Sequence, residues 1–359
     1  MEAIRPQTVI GMDSGKKYSW GNAVNAETGE VLKERKLTND PESFQAFAEG
    51  LPRPIRLVME PTGNWAYLYE CWEELVEEVQ LAHPLKTRAI ASARIKTDRI
   101  DAKILADLGR ADLVPQAYIS PREVRDLREQ LRHRAFLVAL QTKLKNRIHS
   151  ALEKLGISLP EVSDLFGKAG KAWLKEVPLR EPFRSLVDQD LRVLETVAQE
   201  IKHATQEIEA LAKEDPRVEW IHPIRGIGPY SAMLILAEIG EIDRFPDPKK
   251  LVSFAGLCPS THQSGSVCYH GRLTKQGSKW LRWILVETAQ HYAMVPGRLG
   301  NFYRRIAHRK GSKVARVALA RELLVAIYHC LKKGIVFQEY PAPERVHRSR
   351  YAPGGTGRS

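Results

Sequence analysis

Cysteine is scarce in this 359-residue chain, with four residues at positions 71, 258, 268 and 330. Cysteines so few and so unevenly spaced exclude a disulfide framework and point to a reducing cytoplasm. No apolar run approaches the ~18–20 residues of a membrane span, so no membrane association is expected. The start, MEAIRPQTVIGMD, has no basic segment running into an apolar one, and no secretory leader is expected from it. No internal repeat is present. The most informative shortage is of acids. From Pro248 to Arg321, Glu287 is the one acidic residue, against fourteen Lys and Arg. A surface tuned for solubility would intersperse both signs. With a net charge of +12, this imbalance predicts a polyanionic partner, and nucleic acid is the commonest.

What is present reads as two or three globular domains, with 43% hydrophobic and 27% charged residues. Residues 1–115 have an α/β pattern. Strands are predicted at 9–13, 18–25 and 31–37, with ETGE (27–30) as a turn of a meander. A short helix follows over 41–49, with Asp40 as its cap. IRLVME (55–60) is a further strand, Pro61 to Gly63 breaks it, and 66–77 is helical. VQLAH (79–83) is another strand, and a helix covers 98–110. Residues 121–155 form a long amphipathic helix carrying nine Lys and Arg against four acids. A second long helix spans about 185–213. The two suggest an antiparallel coiled-coil arm within 116–215, or two helices of an ordinary bundle. Residues 216–335 read as a second, mainly α-helical globular domain. The segment 336–359, rich in Pro, Gly, Arg and Ser, is expected to be a disordered basic tail.

Asp13 and Glu60 each close an apolar strand. In open α/β sheets, functional groups gather at such strand ends. Asp98 and Asp101 sit three apart in KTDRIDA, on one face of a helix. Four converging carboxylates would repel each other without a cation, and Mg2+ is bound by such oxygen donors. Two such metals clamp an in-line phosphoryl displacement. Each acid also has a plainer reading as a cap or surface charge, Asp98 as a helix N-cap above all.

In the second half, IRGIGPYSAMLILAEIG (224–240) has the glycine turn and apolar helix of a helix-hairpin-helix-like motif. There backbone N–H groups approach a nucleic-acid phosphate. An ordinary glycine turn before a buried helix has the same pattern. FAGLCPSTHQSGSVCYHGRLTKQGSKWLRWIL (254–285) is dense in Gly and Ser. A serine in a flexible basic loop can attack a phosphodiester. Ser264 is the candidate, and residue pattern alone does not separate it from Ser260, Ser266 or Ser278. Cys258, His262, Cys268 and His270 do not form a zinc site, because C-x3-H and C-x-H match none of the usual spacings. Trp280, Trp283 and Tyr292 lie near the basic residues and can stack on bases; the helical spacing of Trp280 and Trp283 favours core packing instead.

GMDSGKK, MEPTGNWAYLYECWEEL and HPLKTRAIASARIKTDRIDAKILADL resemble the RuvC-like domain of the Piv-type DEDD transposases of insertion sequences, also called bridge-RNA-guided recombinases. The stretch from Ile224 to Leu285 resembles their C-terminal transposase domain. The resemblance covers roughly residues 8–330. It implies an RNase H-like (RuvC-like) N-terminal fold in which Asp13, Glu60, Asp98 and Asp101 are the DEDD set, holding Mg2+ or Mn2+. It implies that Ser264, in QSG, is the nucleophile that forms a phosphoserine link to DNA. It further implies a non-coding guide RNA as partner, target and donor DNA as substrates, and a homo-oligomer, dimer or tetramer, in a prokaryotic cytoplasm at the nucleoid. The basic helix 121–155 would contact RNA and serve as a dimer arm. Ser14-Gly15-Lys16-Lys17 departs from the family, which more often has an apolar residue and then Ser-Lys. Two other functions compete: a metal-dependent RuvC-like nuclease or junction resolvase using water only, and a non-catalytic nucleic-acid-binding protein.

Overall fold

The computed structural model describes residues 4–91, 97–264 and 267–339, and of residues 261, 262, 264, 267, 268 and 270 the backbone alone. The chain divides into two compact units, 1–120 and 121–359.

The first unit runs β1 (Thr8–Ser14), β2 (Tyr18–Asn25), β3 (Val31–Thr38), α1 (Pro41–Ala48), β4 (Ile55–Met59), α2 (Trp65–Trp72), β5 (Glu78–Leu81), α3 (Pro84–Ile90) and α4 (Asp98–Arg110). Its sheet has the order β3-β2-β1-β4-β5. The meander β1–β3 is antiparallel, whereas β4 lies parallel to β1 and β5 parallel to β4. Parallel neighbours need crossovers, and α1 and α2 supply them. Strand alternation sorts the core into two layers. Ile10, Met12, Leu57 and Met59 pack with Phe44, Phe47 and Trp72 of the crossover helices. Val9 and Val58 face the other way, onto Leu105 and Ala106 of α4. Burial on both faces is why β1 and β4 read as near-continuous apolar runs. Asp40 caps α1, its carboxylate accepting from Ser43 N at 2.8 Å. Helix α2 stops at Trp72, short of the predicted Glu77. Leu75 N and Val76 N turn back onto Trp72 O, and the Glu77 carboxylate accepts from Ile55 N at 2.6 Å, so 73–77 serves the sheet edge instead.

Helix α4 lies against the sheet with no room for a side chain between them. A Cβ on Gly11 would stand 2.0 Å from Ala102 O and 2.3 Å from Ala106 N. Gly11→Ala is therefore expected to push α4 off β1 and destabilise this unit by about 1–3 kcal/mol, the usual range for overpacking. Gly63→Ala, with nothing within 4 Å of its Cβ, is the control and should stay within about 0.5 kcal/mol of wild type. Chemical denaturation measures both, and equal stabilities would remove the close-packing argument.

The second unit runs α5 (Arg122–Lys154), α6 (Lys168–Glu176), α7 (Phe183–Glu214), α8 (Arg217–Ile221), α9 (Pro229–Ile239), α10 (Pro248–Phe254), β6 (Pro259–Ser264), β7 (Val267–Leu273), α11 (Lys279–Gln290), α12 (Arg298–Lys310) and α13 (Ser312–Lys333), with a 3-10 turn over Ile242–Arg244. Helices α5 and α7 pack antiparallel. Arg147 donates to Asp190 at 3.1 Å and Arg134 to Thr205 at 3.3 Å, so numbers rise along one helix as they fall along the other. Leu144, Ile148 and Leu152 meet Val187, Leu194 and Val197 in a small core that α6 closes with Leu174. The opposite ends join a larger core, where Leu131, Ile208 and Ala212 pack with helices α8 to α13. Helix α9 lies at its centre, buried continuously from Ala232 to Ile239. The start of the expected tail is held: Phe337 N donates to Trp220 O at 2.8 Å, and Glu339 accepts from Leu299 N at 2.8 Å. Residues 340–359 lie outside the described residues. No described helix is long and apolar enough to cross a membrane.

Candidate active site

The register of β1 and β4 brings Asp13 and Glu60 to the same level. Met12 stands opposite Met59, and the two acids are the next residues on each strand. Alternation carries them to the same face. Asp13 shares parity with Val9 and Gly11, and Glu60 with Arg56 and Val58, all on the α4 side. Helix α4 runs antiparallel to β1. Gly109 sits over Val9 and Val58, whereas Ala102 and Ala106 sit over Gly11. At its far end, buried Arg56 donates to Gly109 O at 3.1 Å and pairs with Glu78 and Asp112. The first turn of α4 must therefore lie toward the strand ends that carry the acids. From the Gly11 contact, Asp101 and Asp98 stand about 4 and 9 Å further along by helical rise, and Asp13 about 7 Å along by strand rise.

Thr97, not Asp98, caps α4: its hydroxyl accepts from Ile100 N at 3.2 Å. The plain capping role for Asp98 is thereby taken by its neighbour. Arg99, between the two acids, donates to Glu34 of β3 at 2.8 and 2.7 Å. That hydrogen bond from Arg99 is the largest influence on Glu34 and, with Trp20 and Asn22 adding theirs, holds its carboxyl below the usual range. This pairing fastens the acid-bearing turn to the sheet, and sequence reading missed both residues. The loops beyond the acids are also tied. Gly15 O accepts from Asn39 Nδ2 at 3.0 Å and from Asn64 Nδ2 at 3.3 Å, linking the turn after β1 to the segment after β4.

The donor chemistry suits a hard divalent cation, since all four candidate ligands are carboxylates. Among the described residues, no group of three or more His, Cys, Asp or Glu stands close enough together to hold a metal ion. The structure thus aligns Asp13 with Glu60 and turns the Asp98–Asp101 helix end toward them, without closing a ligand set.

Ser264 belongs to the other compact unit. The stretch read as a flexible loop is an antiparallel hairpin, with Ser264 the last residue of β6, paired with Val267. Gly265 and Ser266 lie outside the described residues. The hairpin base is clamped. Thr274 N donates to Cys258 O at 3.1 Å, and Ser278 N to Phe254 O at 3.0 Å. Ser278 is removed from the candidate nucleophiles. Its hydroxyl caps α11, accepting from Leu281 N at 3.0 Å, and donates to Glu238 Oε2 at 2.7 Å. Glu238 is a buried carboxylate on α9 that the sequence reading passed over. Its Oε1 accepts from both Arg132 Nε at 3.1 Å and Nη2 at 2.8 Å. Arg128 donates to the adjacent Ala237 O at 2.7 Å. The signal was available: an acid inside a helix that is otherwise apolar needs a buried partner.

Two further expectations change. Tyr292 is buried, its hydroxyl accepting from Arg225 N at 3.3 Å, so it does not offer a face for base stacking. Trp280 packs partly into the core, but Trp283 is 40% exposed, with its ring edge-on to Trp280 at 6.0 Å. On α5, Arg128, Arg132, Arg134 and Arg147 all engage groups of their own chain. Its positive face is consequently narrower than composition suggested.

A family profile described as the transposase IS116/IS110/IS902 family matches residues 218–304, which include Glu238 and Ser264. The DEDD transposase domain of IS110 elements matches residues 10–157, which include all four acids. The chain is an IS116/IS110/IS902-family transposase. It is thus a DNA-cutting and rejoining enzyme. The transposase is 25% identical over 288 residues to a probable family 20 transposase of Pseudomonas aeruginosa, covering 78% of this chain and 82% of the relative. It is 24% identical to the transposase for insertion sequence element IS1328 of Yersinia enterocolitica, covering 92% and 99%. It is also 24% identical to the pilin gene-inverting protein of Moraxella bovis, covering 82% and 83%.

Proposed function

We propose that the transposase cuts and rejoins DNA through a phosphoserine intermediate on Ser264, supported by the carboxylates Asp13, Glu60, Asp98 and Asp101 in an RNase H-like domain. The observation that carries the acid half is the level register of Asp13 and Glu60 on the face that α4 covers, with the Asp98–Asp101 turn at the same end. Transposase domains of this DEDD type typically use divalent metals. Mg2+ or Mn2+ held by the four acids would offset the charge of the scissile phosphate. Arg99 and Glu34 keep the acid-bearing turn in place, and Asn64 and Asn39 hold the flanking loops.

In the covalent step, Ser264 Oγ loses its proton and bonds to phosphorus. The P–O3′ bond breaks, and the leaving oxygen takes a proton to become a DNA 3′-hydroxyl. A 3′-hydroxyl of another strand reverses the step and joins a new partner. The Ser264 half is supported by the hairpin, whose clamped base leaves Ser264 at the end of a strand rather than within the helical core. A non-coding guide RNA pairing with target and donor DNA, and assembly as a dimer or tetramer, belong to the same proposal. On α5, Lys143 and Lys154 are the basic residues best placed to meet RNA, because four of the arginines serve the fold.

The test is a denaturing gel of the transposase with labelled junction DNA. The wild type should carry label covalently, and Ser264→Ala should carry none and cut nothing. Cleavage by Ser264→Ala with hydrolysed ends would replace this reading with the water-only nuclease.

A further inference from the structure

Beside the hairpin lies a groove of about 650 Å³. One wall is the hairpin base, at Pro259, Gly271 and Leu273, and the other is the junction of α12 and α13. Lys310, Lys313, Arg321 and the apolar Phe302 line it, with Glu322 as its single acid. All three cations are exposed, and none forms an ion pair among the described residues. Arg305, outside the lining, holds the Phe302 ring with its guanidinium 5.5 Å from the ring centre. A mixed apolar and cationic trough of this kind suits a nucleic-acid backbone, whose phosphates meet the cations while sugar edges meet the apolar lining.

We infer that this groove is a DNA-backbone docking site that sets the distance between the bound strand and Ser264. The inference rests on the reading that Ser264 acts on DNA. The five steps of β6 from Pro259 to Ser264 span about 17 Å at strand rise. One strand of duplex DNA advances about 3.4 Å per phosphate. The phosphates seated in the groove are then about five nucleotides from the one linked to Ser264. Complementary charge favours DNA over a protein occupant, because a single acid faces three cations. Proximity to the hairpin favours DNA over RNA.

The full-length transposase, wild type and Lys310→Ala/Lys313→Ala/Arg321→Ala, is titrated with a labelled 30-base-pair duplex over a salt series. Each lost phosphate contact removes about 0.9 from the slope of log K against log salt. The triple variant should lose about 2–3 from the slope and bind at least about tenfold more weakly at low salt, with an unchanged thermal melt. An unchanged slope overturns the groove, as does an equal loss in a Lys175→Ala/Lys202→Ala control at exposed positions of α6 and α7. A loss confined to single-stranded RNA overturns the DNA assignment. A neutral methylphosphonate about five nucleotides from the linked phosphate should weaken wild-type binding and leave the triple variant indifferent. Adduct formation is scored separately. No adduct with the slope change present sinks the Ser264 reading alone, and a normal adduct with no slope change sinks the groove alone.

Discussion

Asp13→Asn transposase is expected to fold as the wild type does and to lose DNA cleavage by at least about 10²–10³-fold, the scale for removing one preorganised hydrogen-bonding group at a reacting centre. The side chain is partly exposed at the end of β1, so the near-isosteric change leaves the buried layer of Ile10 and Met12 untouched. Glu60→Gln should behave alike, since it leaves β4 at the same level. The double variant should be no worse than either single one, because groups that serve one step are not additive. Initial cleavage rates on junction DNA, with thermal melts as the folding check, decide it. Wild-type cleavage by Asp13→Asn would sink the carboxylate half of the proposal.

Glu238→Ala is expected to be among the most damaging single changes in the second unit. The carboxylate side chain is 4% exposed and its partner Arg132 31%. Breaking a buried pair by removing one partner costs about 3–5 kcal/mol. Arg132 can rehydrate in part, so the lower end applies, about 3 kcal/mol. At about 2–4 °C per kcal/mol for a unit of this size, the melting temperature should fall by roughly 6–12 °C. Glu238→Leu/Arg132→Leu should cost less than the sum of the single changes, since both charges leave together. Thermal unfolding of the four proteins closes the cycle. A Glu238→Ala loss under about 1 kcal/mol would show that Arg132 and Ser278 find other partners. Because Ser278 both caps α11 and bonds Glu238, the same change should loosen the base of the Ser264 hairpin.

Local pattern made much of the fold legible. Apolar runs and turn residues placed β1 to β5, the Asp40 cap placed α1, helical pattern placed α4, and the three-to-four spacing of leucines placed α5 and α7 within two or three residues. Elements decided by distant contacts were not legible. The hairpin β6–β7 looked like a Gly/Ser loop, because its pairing is set by the clamp from Cys258 and Phe254 to Thr274 and Ser278. Helix α2 stopped early because Glu77 is drawn to the backbone of Ile55. Trp280 and Trp283 have the same spacing argument, yet only the packing of α11 against its neighbours leaves one partly covered and the other exposed.

By itself, the sequence determined that acids close two apolar strands, that two further acids share a helix turn, and that one long stretch is almost free of acid. Those are statements about order and period, which short-range geometry converts directly into faces and ends. It did not determine that Asp13 and Glu60 stand level, nor which way α4 runs over them. That was decided by a parallel register between strands some forty residues apart and by two glycines, Gly11 and Gly109, whose missing side chains let helix and sheet touch. Nor did it separate Ser264 from Ser278. Tertiary contact did, because the buried carboxylate of Glu238 on α9 takes hydrogen-bond donors, and the Ser278 hydroxyl is one of them.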